Sequence, residues 1–247
     1  MKHILTISGG LTSAYVCKVI TEKEKNVELI FTDTCWEHKD LYRFLNDLEK
    51  LFKMDITRLQ HPKYKNPEEL FKSHGMLGSN RVPSCSRVLK VEVLQKYLKE
   101  KYDNNCIVYF GIDYSESHRA ERIKFQYDKL GIETRFPLVE SKDFFIRDRI
   151  ANWLKENNIE IPYLYKKGYS HNNCSGGCVR AGKKSWLHLL KNDPETYKER
   201  ERVEKEFKDG QYTFMNDISL KQLREEQDKH CNLSFDDQLP CVCFEVE

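Results

Sequence analysis

The residues best suited to chemistry in this sequence form a glycine-rich segment near the N-terminus. The segment Ser8-Gly9-Gly10-Leu11-Thr12-Ser13 follows an apolar run at residues 3–7 and precedes a helical pattern. Glycines let the backbone approach a bound group, while the N–H groups and dipole of a helix start attract negative charge. The hydroxyl groups can bind phosphate oxygens, although one of them could simply cap the helix. The segment matches neither the Walker nor the dinucleotide fingerprint. The predicted phosphate-binding residues are Ser8, Gly9, Gly10, Thr12 and Ser13.

Two further clusters of polar residues follow apolar, strand-like runs at residues 27–32 and 106–112. In open parallel sheets, ligands bind beyond the carboxyl ends of the strands. Arg119 and Arg122 are three residues apart on one predicted helix face, and guanidinium groups suit phosphate or sulfate oxygens. Each cluster alone is typical of a solvated helix start, but three polar strand ends together favour one ligand site. The predicted nucleotide-binding residues in these two clusters are Thr34, Glu37, Gly111, Glu116, Arg119 and Arg122.

The cysteines form a second group with chemical potential. There are nine, an odd and high number for 247 residues, and disulfides are rare in a reducing compartment. Cys174 and Cys178 are separated by three residues in a glycine-rich loop, and Cys241 and Cys243 form a pair near the C-terminus. Thiolates select zinc or iron–sulfur centres, so a four-thiolate metal site at these four cysteines is predicted. The alternative is a set of unrelated buried thiols.

With these four cysteines as ligands, Cys85 would be left free near the predicted anion site, and it is the predicted catalytic cysteine. Basic residues close to it, such as Lys90, would favour a thiolate. A second arrangement makes Cys85 a metal ligand and leaves a C-terminal cysteine, such as Cys231, as the nucleophile. The spacing of the cysteines leaves both arrangements open.

The motif Ser8-Gly9-Gly10-x-x-Ser13 after an N-terminal strand resembles the PP-loop of the adenine-nucleotide alpha-hydrolase superfamily. This superfamily includes ATP pyrophosphatases and phosphoadenylyl-sulfate (PAPS) reductases. Many ATP pyrophosphatases carry Asp where Thr12 stands, so the sequence is more similar to the PAPS reductase-like branch. The resemblance covers most of residues 1–190 and implies binding of an adenine nucleotide, either ATP or a PAPS-like molecule. Further matches to this branch are Thr34, Glu37, Gly111, Ile112, Glu116, Arg119, Arg122, Pro137 and Leu138.

The resemblance also bears on the metal. A cysteine followed much later by a cysteine pair resembles iron–sulfur adenylyl-sulfate reductases, which bind a 4Fe-4S cluster through Cys-Cys and C-x2-C. Here Ser84 and Ser86 flank the single Cys85, and the pair has three intervening residues. PAPS reductases use a C-terminal Glu-Cys-Gly-type motif as the nucleophile, which this sequence lacks. A 4Fe-4S cluster is favoured as the cofactor, with zinc as the alternative.

Alternating strand and helix patterns are expected to position all of these residues. They predict an α/β fold, a Rossmann-like doubly wound parallel sheet of the PP-loop type over residues 1–140. A helical, cysteine-rich part is predicted over residues 141–247. The predicted strands are 3–7, 27–32, 55–59, 106–112 and 134–136. The predicted helices are 39–52, 86–100, 118–130, 142–157, 183–192, 194–207 and 220–230.

Composition narrows the function classes. The net charge is only +2, so no whole-molecule field attracts nucleic acid. The sequence shows no signal peptide and no membrane-length apolar run, which predicts a cytoplasmic protein without a membrane partner. Basic residues near the cysteines leave a nucleic-acid substrate open. A sulfur-donor protein and a homodimer also stay open.

These patterns together predict an adenine-nucleotide-dependent sulfurtransferase or PAPS reductase-like enzyme with a cysteine-ligated metal centre. The alternative is a non-catalytic nucleotide- or nucleic-acid-binding module with structural zinc, within a DNA or RNA modification or defence complex. The substrate and the sulfur donor are not specified by any motif.

Overall fold

A computed structural model describes residues 1–79, 81–141 and 146–230 of the chain. Five parallel strands form one sheet in the order β3-β2-β1-β4-β5. Chain order reverses between β1 and β4, which is where parallel α/β sheets bind ligands. The predicted doubly wound sheet is therefore confirmed. The strands are β1 (Lys2–Thr6), β2 (Val27–Thr32), β3 (Ile56–Leu59), β4 (Cys106–Tyr109) and β5 (Glu133–Arg135).

Helices cover both faces of the sheet. The helices before β5 are α1 (Leu11–Thr21), α2 (Lys39–Phe52), α3 (Pro67–His74), α4 (Ser84–Ser86), α5 (Glu92–Tyr102) and α6 (Ser117–Asp128). The helices after β5 are α7 (Pro137–Glu140), α8 (Ile146–Glu156), α9 (Tyr163–Lys166), α10 (Lys183–Asn192), α11 (Pro194–Glu206) and α12 (Leu220–Glu225). A π-helical turn, Arg87–Val91, joins α4 to α5.

Side chains of the central strands alternate between two apolar layers. Leu5 of β1 packs with α1, α2 and α8 on one face, whereas Ile4 packs with α5 and α6 on the other. Both side chains are fully buried. This two-sided burial explains why the strands read as continuous apolar runs.

A third apolar cluster connects the region before β4 with the C-terminal helices. Phe71 of α3 and Cys85 of α4 share this cluster with Trp186 of α10 and Tyr197 of α11. In addition, α8 contributes Trp153 to the layer beneath α1. Apolar packing thus crosses residue 140, and the division of the chain at that residue stays a prediction.

Several elements differ from their predicted bounds. The strand predicted at 106–112 ends at Tyr109, and the next residues turn toward the cleft described below. The predicted helix at 86–100 contains the π-helical turn. Helix α3 was not predicted, although Asn66 caps it, Pro67 begins it and Gly75 ends it in the left-handed conformation.

Cys231, Cys241 and Cys243 lie outside the described residues. No helix in the described part of the chain is long and apolar enough to cross a bilayer.

Candidate functional site

The segment between β1 and α1 forms a tight turn closed by its own hydroxyl groups. The Ser8 N–H donates to Ser13 Oγ at 3.1 Å, and Ser13 Oγ donates to the Gly10 carbonyl at 2.9 Å. The two serine hydroxyl oxygens lie 3.2 Å apart. This turn, hereafter the PP-loop (residues 8–13), leads directly into the N-terminus of α1, where helices favour anions. Its binding of a phosphate group stays a prediction.

Glycines permit the close approaches around the PP-loop. Gly9 has a φ of +78°, and a Cβ atom there would lie 2.5 Å from Cδ1 of Leu41. A Cβ atom on Gly111 would lie 2.4 Å from the backbone N and Cα of Ser13. The turn after β4 therefore contacts the PP-loop backbone directly, and any side chain at Gly111 would separate them.

A cleft opens where the PP-loop meets the turn after β4, with a cavity of about 80 Å³. Arg119 lies in its wall, 5% exposed, and its guanidinium donates to Glu116 Oε1 at 2.5 Å. Arg122, one turn further along α6, is exposed and does not line the cavity. The lining residues are Thr6, Ser8, Gly10, Thr12, Ser13, Lys90, Phe110, Gly111, Ile112, Glu116, Arg119, Tyr165, His171, Asn172 and Asn173.

The opposite wall of the cleft comes from residues far along the chain. The buried Asn172 side chain donates its N–H to the Gly9 carbonyl at 2.8 Å. Tyr165 of α9 places its hydroxyl 3.5 Å from the Leu11 nitrogen. This segment, residues 165–173, covers the PP-loop, and hereafter it is called the cover segment. Tyr165 and Asn172 were not among the predicted site residues, because neither belongs to a local motif.

A buried ion pair lies behind the cleft. Lys90, in the π-helical turn, donates to Glu37 Oε1 at 3.1 Å, and their side chains are 5% and 0% exposed. Thr34 donates its hydroxyl hydrogen to the same carboxylate oxygen at 3.2 Å. The other carboxylate oxygen accepts the Cys174 N–H at 2.6 Å. Glu37 therefore connects the end of β2 to residues 174–178, hereafter the cysteine loop. Neither Thr34 nor Glu37 lines the cavity. Their contact with a nucleoside stays a prediction.

Lys90 is the cationic residue that the sequence patterns identified only as a basic neighbour of Cys85. Its side chain lines the cleft as well as pairing with Glu37. A lysine within the apolar stripe Val88, Leu89 and Val91 was the available signal, because lysine is almost never buried without a partner. π-Helical turns are also frequent at functional sites.

The cysteine loop contains two neighbouring thiols, Cys174 and Cys178. The hydrogen bond between them, burial and the nearby Glu37 carboxylate raise the pKa of Cys174. Ser175 ties the loop to the chain after β2, because its hydroxyl donates to the Trp36 carbonyl at 3.0 Å. The Arg200 guanidinium lies 3.7 Å from the centre of the Trp36 ring.

The predicted metal site is only half described. Within residues 1–79, 81–141 and 146–230, no three His, Cys, Asp or Glu side chains come together to hold a metal ion. Cys174 and Cys178 supply two thiols, and their predicted partners Cys241 and Cys243 lie outside the described residues. Cys85 is 9% exposed, sits in the apolar cluster with Trp186 and does not line the cleft. Its catalytic role stays a prediction.

Comparison with known proteins identifies the family of the chain. Residues 2–181 match the model of the phosphoadenosine phosphosulfate reductase domain family. The chain belongs to this family. That match covers the sheet, the PP-loop and the cysteine loop, and it confirms the resemblance drawn from the sequence motifs. This membership places the chain in the PAPS reductase-like branch of the adenine-nucleotide alpha-hydrolase superfamily.

The chain is also similar to individual relatives and to a solved structure. A Methanocaldococcus jannaschii protein of unknown function, MJ0066, is 25% identical over 186 residues, or 70% of this chain and 35% of the relative. The phosphoadenosine 5'-phosphosulfate reductase of Buchnera aphidicola (strain 5A) is 23% identical, covering 68% of this chain and 67% of the reductase. The structure of PAPS reductase from Candida auris, a phosphate complex, shares the fold with a TM-score of 0.50 and 21% identity. The alignment covers 70% of this chain and 81% of that one.

The matched region is a minor part of some relatives. The chain spans only 35% and 45% of the two Methanocaldococcus jannaschii relatives. Membership in the PAPS reductase domain family does not favour the predicted alternative, a non-catalytic zinc module.

Proposed function

We propose that this protein is a PAPS reductase-like enzyme of sulfur metabolism that binds the anionic end of an adenine nucleotide at the PP-loop. The observation that carries the proposal is the shared cleft of the PP-loop, Arg119 and Lys90. Backbone N–H groups, serine hydroxyls and two cations there suit a phosphate or sulfate group. The phosphate in the Candida auris structure supports an anion site in this fold.

The size of the cavity limits what it can hold. A volume of about 80 Å³ accommodates a phosphate- or sulfate-sized group, whereas sites for drug-sized molecules range from roughly 300 to 1,000 Å³. The cavity is therefore assigned to the reacting anion, and the nucleoside extends beyond it. A second cavity of about 350 Å³ adjoins the first along Thr12, Glu116, Tyr165 and His171.

The favoured reaction is reductive cleavage of a sulfonucleotide, such as PAPS. Two thiols would supply two electrons and become a disulfide, while the bond between the sulfate sulfur and the phosphate oxygen breaks. The products would be sulfite and adenosine 3',5'-bisphosphate. Sulfur transfer onto another acceptor with the same nucleotide site is the second form of the proposal.

Turnover tests the proposal directly. Protein purified without oxygen is incubated with PAPS, adenylyl sulfate or ATP and a dithiol reductant, and sulfite and nucleotide products are measured. Ser13→Ala and Arg119→Gln should lose most of the activity, because each removes a group that lines the anion cavity. Arg58→Gln, on the exposed surface of β3, is the matched control and should retain it. Turnover of none of the three nucleotides by the wild-type protein would refute the enzymatic proposal.

A cysteine-ligated metal, with 4Fe-4S favoured over zinc, belongs to the same proposal. It uses Cys174 and Cys178, which already neighbour each other, with Cys241 and Cys243 as the remaining ligands. Metal content and the visible spectrum decide it, with Cys174→Ala compared against Cys106→Ala in the core of β4. Iron and sulfide lost only from Cys174→Ala support the cluster. Stoichiometric zinc supports the structural alternative, and the absence of both from freshly purified protein would contradict the metal site.

A further inference from the structure

Tyr165 lines the anion cavity, and its hydroxyl group lies beside the start of α1. It lies 3.5 Å from the backbone nitrogen of Leu11, the first residue of α1. It also lies 3.3 Å from where a Cβ atom on Gly10 would be, so the absence of a side chain at Gly10 leaves it room. The first N–H groups of a helix have no partner within that helix. Tyr165 thus stands beside a donor that the PP-loop offers to anions.

The backbone of α9, which carries Tyr165, is held in place by α2 and the residue before it. The N–H of Tyr163 donates to Asp40 at 2.6 Å, and the Tyr163 ring stacks on His38 with 4.9 Å between centroids. Arg43 donates to Asp40 at 2.8 Å and to the Glu160 carbonyl at 2.8 Å. These contacts fix α9 relative to the loop after β2, so the position of Tyr165 over the PP-loop follows from tertiary packing.

The Leu11 N–H donates a long hydrogen bond to the hydroxyl oxygen of Tyr165. A distance of 3.5 Å is long for an N–H···O bond, since typical values run from about 2.7 to 3.2 Å. The phenol has one proton to donate, and an oxygen of a bound phosphate or sulfate could accept both that proton and the Leu11 N–H.

We propose that Tyr165 is a substrate-binding residue whose hydroxyl donates a hydrogen bond to the phosphate or sulfate group at the PP-loop. This inference rests on the proposed nucleotide site and adds a donor to it from the cover segment. The anion is then held between the backbone of α1 on one side and Tyr165 on the other. The ring of Tyr165 also borders the second cavity, which places the residue between the anion and the space beyond it.

The test compares Tyr165→Phe with the wild-type protein, using PAPS and adenosine as ligands in calorimetric titrations. Phenylalanine keeps the ring and removes only the donor, so PAPS affinity should fall about tenfold, as expected for a lost hydrogen bond to a charged group. Adenosine lacks the anion, and its affinity should change less than about twofold within experimental scatter. Tyr212→Phe, an exposed tyrosine, is the control and should match the wild type.

Each outcome separates this inference from the proposed function. If the wild-type protein binds no adenine nucleotide, the nucleotide site itself is wrong. If the wild type binds PAPS and Tyr165→Phe binds it equally well or more tightly, only the role of Tyr165 is wrong. An equal loss for PAPS and adenosine would assign Tyr165 to nucleoside packing and would also contradict the inference. Thermal unfolding of Tyr165→Phe confirms that the variant is folded.

Discussion

The two walls of the cleft are built in different ways. The PP-loop wall comes from one continuous segment that makes its own hydrogen bonds, with Gly111 packed against Ser13. The opposite wall brings Lys90 together with Tyr165 and Asn172 of the cover segment, which lies far along the chain. Its members are held by contacts to other elements, such as the bond from Asn172 to the Gly9 carbonyl.

This difference predicts different sensitivities. The PP-loop wall depends on close packing, because Gly9 and Gly111 leave no room for a Cβ atom. The opposite wall depends on buried polar pairs, whose loss leaves a charge or carbonyl without its partner. Substitutions can therefore separate the two walls by stability and by nucleotide binding.

The largest loss of unfolding free energy is expected when the buried ion pair of Lys90 and Glu37 is broken. Lys90→Met leaves the Glu37 carboxylate without its cationic partner, and breaking such a buried pair costs about 3–5 kcal/mol of unfolding free energy. The double variant Lys90→Met, Glu37→Gln should recover part of that loss, because no unpaired charge remains. Chemical denaturation of the two variants measures this. Equal destabilisation by the single and double variants would show that the ion pair is not the cause.

Gly111→Ala tests the steric wall. Its Cβ atom would lie 2.4 Å from backbone atoms of Ser13, and overpacking of this kind typically costs about 1–3 kcal/mol. Nucleotide binding should be lost even where the protein stays folded, because the PP-loop must shift. Gly131→Ala is the matched control, since a Cβ atom there meets nothing within 4 Å although φ is +69°. It should cost about 1 kcal/mol from backbone strain and leave binding intact. Binding retained in Gly111→Ala would contradict the steric account.

Glu204, which lies outside both walls, should make the stability of the folded protein depend on pH. Burial raises its pKa to about 7, although the N–H groups of Phe214 and Leu220 donate to it at 2.8 and 2.6 Å. Its folded pKa exceeds the unfolded value, so its stabilisation is complete below about pH 4.5 and is lost as the pH rises through 7. Glu204→Gln should flatten that part of the curve of unfolding temperature against pH. An unchanged pH dependence in this variant would assign the effect to another group.

The smallest loss of unfolding free energy is expected at the hydrogen bond between Asn172 and the Gly9 carbonyl, which joins the two walls. Asn172→Ala leaves the Gly9 carbonyl without this donor and should cost about 1–2 kcal/mol of unfolding free energy. It should also weaken nucleotide binding, because the cover segment loses a tie to the PP-loop. The control is Asn26→Ala, which removes an exposed bond to the Met1 carbonyl and should change little. If both variants behave alike, Asn172 does not couple the walls.

The contrast between the two walls explains which features could be predicted from the sequence. The helices Lys39–Phe52 and Lys183–Asn192 and the strand Val27–Thr32 have their predicted bounds, because local apolar spacing determines them. The PP-loop was equally recognisable, since glycines, hydroxyls and a helix start are neighbours in the chain. The α3 helix was missed despite its Asn-Pro start and Gly end, which are recognisable signals.

The opposite wall could not be found in this way. Glu37 and Lys90 lie 53 positions apart, and Gly9 and Asn172 lie 163 apart. Only the packed fold shows that these residues meet. Arg119 and Arg122 share a helix in the sequence, but only the fold shows that Arg119 is buried in the cleft and Arg122 is exposed.

The central claim is that the cleft between the two walls binds the anionic end of an adenine nucleotide. Calorimetric titration of PAPS and adenosine into the wild-type protein and Arg119→Gln tests it most directly. The predicted result is a single PAPS site at least about tenfold tighter than adenosine, with that preference lost in Arg119→Gln, because charge-assisted hydrogen bonds to the anion supply the difference. PAPS binding no tighter than adenosine, or a preference unchanged by Arg119→Gln, would contradict the claim.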